Sequence, residues 1–276
     1  MRRILIAIGI AAGALFLTCA GTRPPRPEST AELAGQDAAR EFNAGNFGMA
    51  LRLYVKALAE ARRIDNPALR ARYQFNIGRI FYECAFFDSA RICFRESARL
   101  FVMTGKTEEA AIAGIYEALT YAYTGRADTA ASLLMLHGSR VGAGNEGIVA
   151  TSRTIISLRQ GAIETADGSA VRAMQLAREQ RDPFLRGGIF YYQAMIAFTR
   201  RDREVARQLL DSSLYCYAQS PYRYRNWKTL LGRAIVDYCS GDTITALRYY
   251  RRAKMAAPEM ILLPAEKMVR ECPEIW

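Results

Sequence analysis

Phe42 to Leu58 reads FNAGNFGMALRLYVKAL, and the fold turns on this stretch. Phe42 closes one apolar stripe and Gly45-Asn46 supplies turn chemistry. Phe47, Ala50, Tyr54 and Ala57 then recur at steps of three, four and three, the spacing of one helix face. A second amphipathic helix therefore starts just past the turn. A glycine or polar turn followed five residues later by alanine returns five more times, with the alanines at Ala50, Ala90, Ala130, Ala166, Ala206 and Ala246, separated by 40, 40, 36, 40 and 40 residues. Alanine suits that place because two antiparallel helices joined by a tight turn approach most closely just beyond it. Asp88, Asp128, Glu164 and Glu204 stand two residues ahead of four of these alanines. A carboxylate in a first turn faces the positive end of the helix dipole.

From about Thr30 onward the composition does not shift, helical periodicity continues, and no alternating strand pattern of convincing length interrupts it. With 276 residues, 51% of them hydrophobic, there is material for one continuous core, built by helix pairs that each need a neighbour to bury their apolar face. The register contracts once. His137 to Gly147, HGSRVGAGNEG, holds four glycines, each costing a helix roughly 1 kcal/mol relative to alanine, so a hinge or a shortened helix is expected near 138–147. Gly142-Ala143-Gly144 reads as an inter-repeat loop and not a phosphate cradle, because no strand precedes it and no lysine follows.

The pattern resembles the tetratricopeptide repeat. The first copy gives Ala38, Gly45, Phe47, Ala50, Tyr54 and Ala57; the second gives Gly78, Phe87, Ala90 and Phe94, with Ala85 at the turn glycine. The third offers Ala118, Gly125 and Ala130, and the last Ala234, Gly241, Ala246, Tyr250 and Ala253. The fourth keeps Gly161 and Ala173 but has Ala170 at the large position. In the fifth, Arg201 and Arg203 replace the turn glycine and aromatic. The family unit is usually about 34 residues, so the longer spacing resembles its longer-helix variety. The resemblance implies an all-α, right-handed α-solenoid of about six hairpins over residues 31–257, with 258–276 as a C-terminal capping helix around Pro264. A second expectation for that tail is that its exposed end, including Ile275 and Trp276, docks a partner.

The N-terminus, MRRILIAIGIAAGALFLTC, joins Arg2-Arg3 to an apolar run from Ile4 to Leu17, the form of a bacterial export signal and shorter than a membrane span. Cys19 resembles the lipid-modified cysteine of bacterial lipoproteins, although Phe16, Leu17 and Thr18 depart from the usual lipobox. Cleavage after Ala20 and an uncleaved anchor are the alternatives. Residues 1–19 are thus read as signal and lipobox-like region, and 20–30 as a proline-rich tether that cannot build helix. By the same resemblance, Ala20 after the cysteine implies an outer-membrane, lipid-anchored protein of the cell envelope.

Catalytic chemistry finds little support. The single histidine, His137, is read as structural or helix-ending, and neither HExxH nor CxxC occurs. No catalytic residue, metal ligand or cofactor is assigned. Of the cysteines beyond Cys19, Cys216 and Cys239 are the best disulfide candidates, against buried small side chains; Cys84, Cys93 and Cys272 have no regular spacing. The net charge of +11 leaves +9 without Arg2 and Arg3. Basic and aromatic residues interleave late in the chain, where Arg223, Arg225, Arg251 and Arg252 form a candidate basic patch. Export argues against nucleic acid as its partner and for an anionic glycan or lipid surface, with a merely solvated face as the bland alternative.

In tetratricopeptide proteins the concave groove is lined by the first helix of each repeat. Projecting that register gives a candidate partner groove of Phe75, Arg79, Tyr82, Ile115, Tyr116, Leu119, Tyr123, Tyr191, Tyr192, Met195 and Phe198, with Thr151 and Ile155 from the fourth repeat, some of which must serve the core. Asn76 matches one position of the carboxylate clamp of chaperone-binding relatives, whereas Gly35, Ala39, Ile112 and Tyr116 occupy the others, so that clamp is absent. The expected function is a noncatalytic interaction scaffold that binds an apolar segment of another envelope protein.

Overall fold

The computed structural model describes residues 27–222 and 224–257, and within them the chain is all helix and turn. Twelve α-helices follow one another: α1 (Pro27–Ala44), α2 (Phe47–Arg63), α3 (Pro67–Glu83), α4 (Phe87–Met103), α5 (Thr107–Tyr123), α6 (Ala127–Gly138), α7 (Glu146–Arg159), α8 (Ile163–Glu179), α9 (Pro183–Thr199), α10 (Arg203–Ala218), α11 (Asn226–Cys239) and α12 (Thr243–Ala256). Each odd helix pairs with the even helix that follows, and each pair packs on the next, giving a solenoid of six tetratricopeptide-like hairpins. The odd helices also touch one another, α1 with α3, α5 with α7 and α7 with α9, so they form the inner layer.

The alanine register is the register of the hairpins. Ala50, Ala90, Ala130, Ala166 and Ala206 have no exposed surface and Ala246 is 6% exposed. The turns ahead of them place Gly45, Ala85, Gly125, Gly161, Arg201 and Gly241 at positive φ, in the same spacing. Glycine takes that left-handed backbone freely; Ala85 and Arg201 hold it at φ 62° and 64°, strained for a residue with a Cβ. The partnership of small and large positions also has a distance. A Cβ added at Gly78 would lie 2.8 Å from Cε1 of Phe94, which is fully buried, so α3 and α4 sit at a separation that only glycine permits there.

Helix starts follow local chemistry. Pro67 and Pro183 occupy the first turns of α3 and α9, where the missing N–H costs nothing. Asn66 Oδ1 accepts from Leu69 N, and Asp182 Oδ1 from Phe184 N and Leu185 N. The same rule corrects the expectation that the tether extends to residue 30: α1 begins at Pro27, because proline ends a helix from inside but is tolerated at its first position. Helix α6 has 12 residues where α2, α4 and α8 have 17, and a single 3₁₀ turn, Ala143–Asn145, leads into α7. Between helices the few buried hydroxyls are bonded, Ser97 Oγ to Ala71 O at 2.9 Å and Ser213 Oγ to Gly187 O at 2.7 Å.

The signal, the lipobox-like Cys19 and the capping segment 258–276 lie outside the described residues. At the end of the described solenoid, Leu231, Tyr238, Leu247 and Tyr250 frame an apolar hollow of about 340 Å³ on α11 and α12. Among the described residues no helix is long and apolar enough to cross a membrane.

Candidate functional site

The solenoid curls until its late hairpins meet its early ones, and one loop makes the meeting. Between α10 and α11 the chain passes through Tyr224 and Arg225, which reach across the concave side. Tyr224, 4% exposed, lies among Phe42 (ring centroids 4.9 Å apart) and Phe47 (5.7 Å) of the first hairpin and Phe184 (5.4 Å) of α9. The turn glycine Gly45 has a second duty here, since a Cβ on it would come within 3.5 Å of the Tyr224 Cβ. Arg79 of α3 covers the other side of Phe42, 4.5 Å above its ring.

Beside Tyr224, Arg225 donates to Glu83 Oε1 from Nε at 3.1 Å and from Nη2 at 2.5 Å, while Lys228 Nζ donates to Oε2 at 2.9 Å. Glu83 ends α3, and its side chain is 4% exposed. Burial alone would push its carboxyl up; the Arg225 and Lys228 charges and their hydrogen bonds outweigh burial and hold it down at about 2. The same carboxylate holds the Arg225 guanidinium well above its ordinary value against burial. Both carboxylate oxygens are thus committed, and the triad ties the second hairpin to the sixth.

Alongside this seam the inner layer leaves a cleft of about 410 Å³. One wall comes from the early hairpins, where Tyr82 lies 5.9 Å from Phe87 and 5.7 Å from Tyr123, and Phe87 and Tyr123 stack at 4.9 Å. The facing wall comes from α9 and α11, with Tyr191 and Tyr192 5.3 Å apart, Phe198, and Trp227. Tyr192 packs against the hydrophobic cluster that joins the second, third and fourth hairpins and is hydrogen-bonded to Tyr123, so the walls meet there. Burial pushes the hydroxyls of Tyr82, Tyr191 and Tyr192 well above their usual range, so they stay neutral near pH 7. At the floor, Arg159, the last residue of α7, lays its guanidinium 4.6 Å over the ring of Tyr123.

The projected groove therefore divides. Tyr82, Tyr123, Tyr191, Tyr192, Met195 and Phe198 come together on the cleft. Ile115 and Leu119 are buried core, Phe75 and Tyr116 stack around Phe94 beyond the cleft, and Arg79 serves the seam. The projected basic patch also divides. Arg225 turns inward onto Glu83, with only a quarter of its side chain exposed, because a buried carboxylate needs a cation more than an outer face does. Arg251 and Arg252 are exposed on α12, Arg252 lying 5.2 Å over Tyr249. Arg223 lies outside the described residues.

Residues that the register did not nominate are Glu83, Arg159, Tyr224, Trp227 and Lys228. For Glu83 a signal was present: an acid at the C-terminal end of a helix opposes the dipole, and it needs a cation from elsewhere. Cys216 and Cys239 are free thiols, as are Cys84 and Cys93, so the candidate disulfide is not formed. Burial pushes Cys84 up to about 12 and Cys93 up to about 11, away from reactive thiolates. His137 packs its ring on Gly114, where a Cβ would fall 2.5 Å from Nε2, and its buried Nδ1 has no hydrogen-bond partner. Among the described residues no cluster of three or more His, Cys, Asp and Glu could hold a metal ion.

No protein-family model matches the sequence, and no curated protein sequence matches it. Among solved structures the chain is similar to BtubC (BKLC) from P. vanneervenii at 15% identity and a TM-score of 0.47, covering 84% of this chain and 89% of that one. It is also similar to the APC/C hetero-tetramer Cut9-Hcn1 at 13% identity and a TM-score of 0.47, covering 91% of this chain and 57% of that one.

Proposed function

We propose that this chain is a noncatalytic helical-repeat scaffold of the cell envelope that holds a short apolar segment of another envelope, secretion or assembly protein in its concave cleft. The observation that carries the reading is the aromatic cleft itself, bordered on the seam side by Glu83 and Lys228. Its volume of about 410 Å³ suits a few large side chains and not a helix laid along the whole superhelix. Rigid aromatics lose little entropy on binding and are the residues most often central to interfaces. The export-signal form of residues 1–19 supports the envelope placement, with Cys19 as the lipid anchor.

The cleft is tested by recovering partners from membranes of the native host on immobilised protein. Tyr123→Ala, Tyr192→Ala and the cleft-filling Leu158→Trp should each reduce recovery about tenfold. Equal recovery on all three variants removes the cleft from the mechanism. Metabolic labelling with a radiolabelled fatty acid should mark the chain and fail to mark Cys19→Ser; an unlabelled parent chain removes the anchor.

A further inference from the structure

The cleft is apolar in its walls but not neutral in its charges. Glu83 is the one carboxylate on its lining, and both of its oxygens are already bonded, one to Arg225 and one to Lys228. Those three side chains sum to a single positive charge. Arg159 adds a second, and no carboxylate of the described residues pairs with it; its guanidinium lies over the ring of Tyr123 and within electrostatic reach of Tyr191. A cationic group entering the cleft would meet this surplus with no free acid to receive it. A purely apolar occupant would leave the Arg159 fork without an acceptor, and a partly buried guanidinium gains most from a carboxylate that fits its planar donors. Tyr82 is buried and Tyr191 and Tyr192 are half-buried beside it, so charge there counts for more than in open water.

We infer that the segment held in the cleft carries an acidic side chain, Asp or Glu, set among large apolar residues, and that Arg159 is the residue that selects it. The inference rests on the scaffold reading above and names the chemistry of its partner. Apolar side chains fill the space between Tyr82, Phe87 and Trp227, and the carboxylate lies on Arg159 at its floor. An acid supplied by a side chain is favoured over a chain terminus because a segment passing through the cleft need not end there.

The test is selection of a random peptide library, displayed through its C-terminal end so that no free terminal carboxylate is present, on the full chain. Peptides that Leu158→Trp fails to retain should carry Asp or Glu between large apolar residues. On Arg159→Gln the selected peptides should stay apolar and lose the acid. A synthetic peptide from the first selection, amidated at its end, should weaken about tenfold when its acid is changed to the amide, and the same change should have no effect on Arg159→Gln. Arg159→Lys should recover part of the preference, and unchanged helicity and melting midpoint distinguish lost selection from lost folding. Cleft-dependent peptides without an acid, or an acid preference that survives Arg159→Gln, overturn the role of Arg159 and leave the scaffold reading standing. A preference that appears only with a free C-terminal carboxylate overturns the side-chain assignment. A selection with no dependence on Leu158→Trp overturns both readings.

Discussion

Between α3 and α4, as between every pair of sequential helices, contacts are local in the chain and recur with the register; across the interior, Glu83 meets Arg225 and Lys228 over 142 and 145 residues, and the meeting occurs once. The shell is held by small residues set against large ones, and any hairpin could in principle be exchanged for another. The seam is held by one buried carboxylate and one buried tyrosine that reach across the interior, whereas the buried carboxylate of Asp237 pairs only with Arg207 of the preceding helix and Arg233 of its own. A stack of hairpins needs only nearest neighbours to be stable. This one adds a long-range tie, and the tie is what turns a curved surface into a cleft with two walls. The geometry of the functional surface thus depends on the least repetitive contacts in the molecule.

Cutting the tie should produce the largest effect. Glu83→Ala leaves Arg225 and Lys228 facing each other in a buried place, and it should cost about 3–5 kcal/mol in chemical denaturation. Because early and late hairpins would then be coupled only through their neighbours, their amides should also lose hydrogen-exchange protection independently of each other. A loss below about 1 kcal/mol would mean that the shell alone sets the curvature.

The same carboxylate gives the seam a pH dependence of its own. Its folded value of about 2 lies below its ordinary value near 4.5, so its contribution is complete above about 4.5 and disappears as pH falls toward 2. The gap in stability between the parent chain and Glu83→Gln should accordingly narrow over that window, by an amount on the order of 3 kcal/mol. Other carboxylates titrate in both proteins and cancel in the difference. A gap that stays constant from pH 7 to pH 2 would place the stabilisation in packing by Tyr224 and not in the ion pairs.

What could be read in advance follows the same division. The six alanines, the turn positions and the small residue at Gly78 announce themselves by recurrence, and the hairpins follow from them. Part of the aromatic lining of the cleft, from Tyr82 and Tyr123 to Tyr191, Tyr192 and Phe198, was legible as first-helix positions, because the register says which face turns inward. Register does not say how tightly a superhelix curls, so it could not tell that Ile115 and Leu119 would be swallowed by the core or that Tyr192 would pack against the cluster of the second, third and fourth hairpins. Arg225 reads as one more arginine in a basic run until Glu83 is seen opposite it. Pairs formed once, at long range, leave no period to detect, and charge clusters in sequence say nothing about which member will be drawn inside.

The smallest expected effect belongs to the shell and bears on how much of it is regular by necessity. Ala85 and Arg201 occupy the two hairpin turns that keep the left-handed conformation without glycine, at φ 62° and 64°. A Cβ in that conformation costs about 1–2 kcal/mol, part of which glycine returns through the greater freedom of its unfolded chain. Ala85→Gly and Arg201→Gly should therefore each stabilise by up to about 1 kcal/mol, raising the melting midpoint by about 2–4 °C. Their effects should add in the double variant, since the turns belong to different hairpins and share no side-chain contact. The comparison between them is informative in itself, because Ala85 borders the cleft and Arg201 does not. Equal gains would show that both turns are strained copies of the glycine turn and nothing more. A gain at Arg201 alone would show that Ala85 is held by the closed seam, so that the long-range tie, once formed, reaches back to fix the local turn beside it.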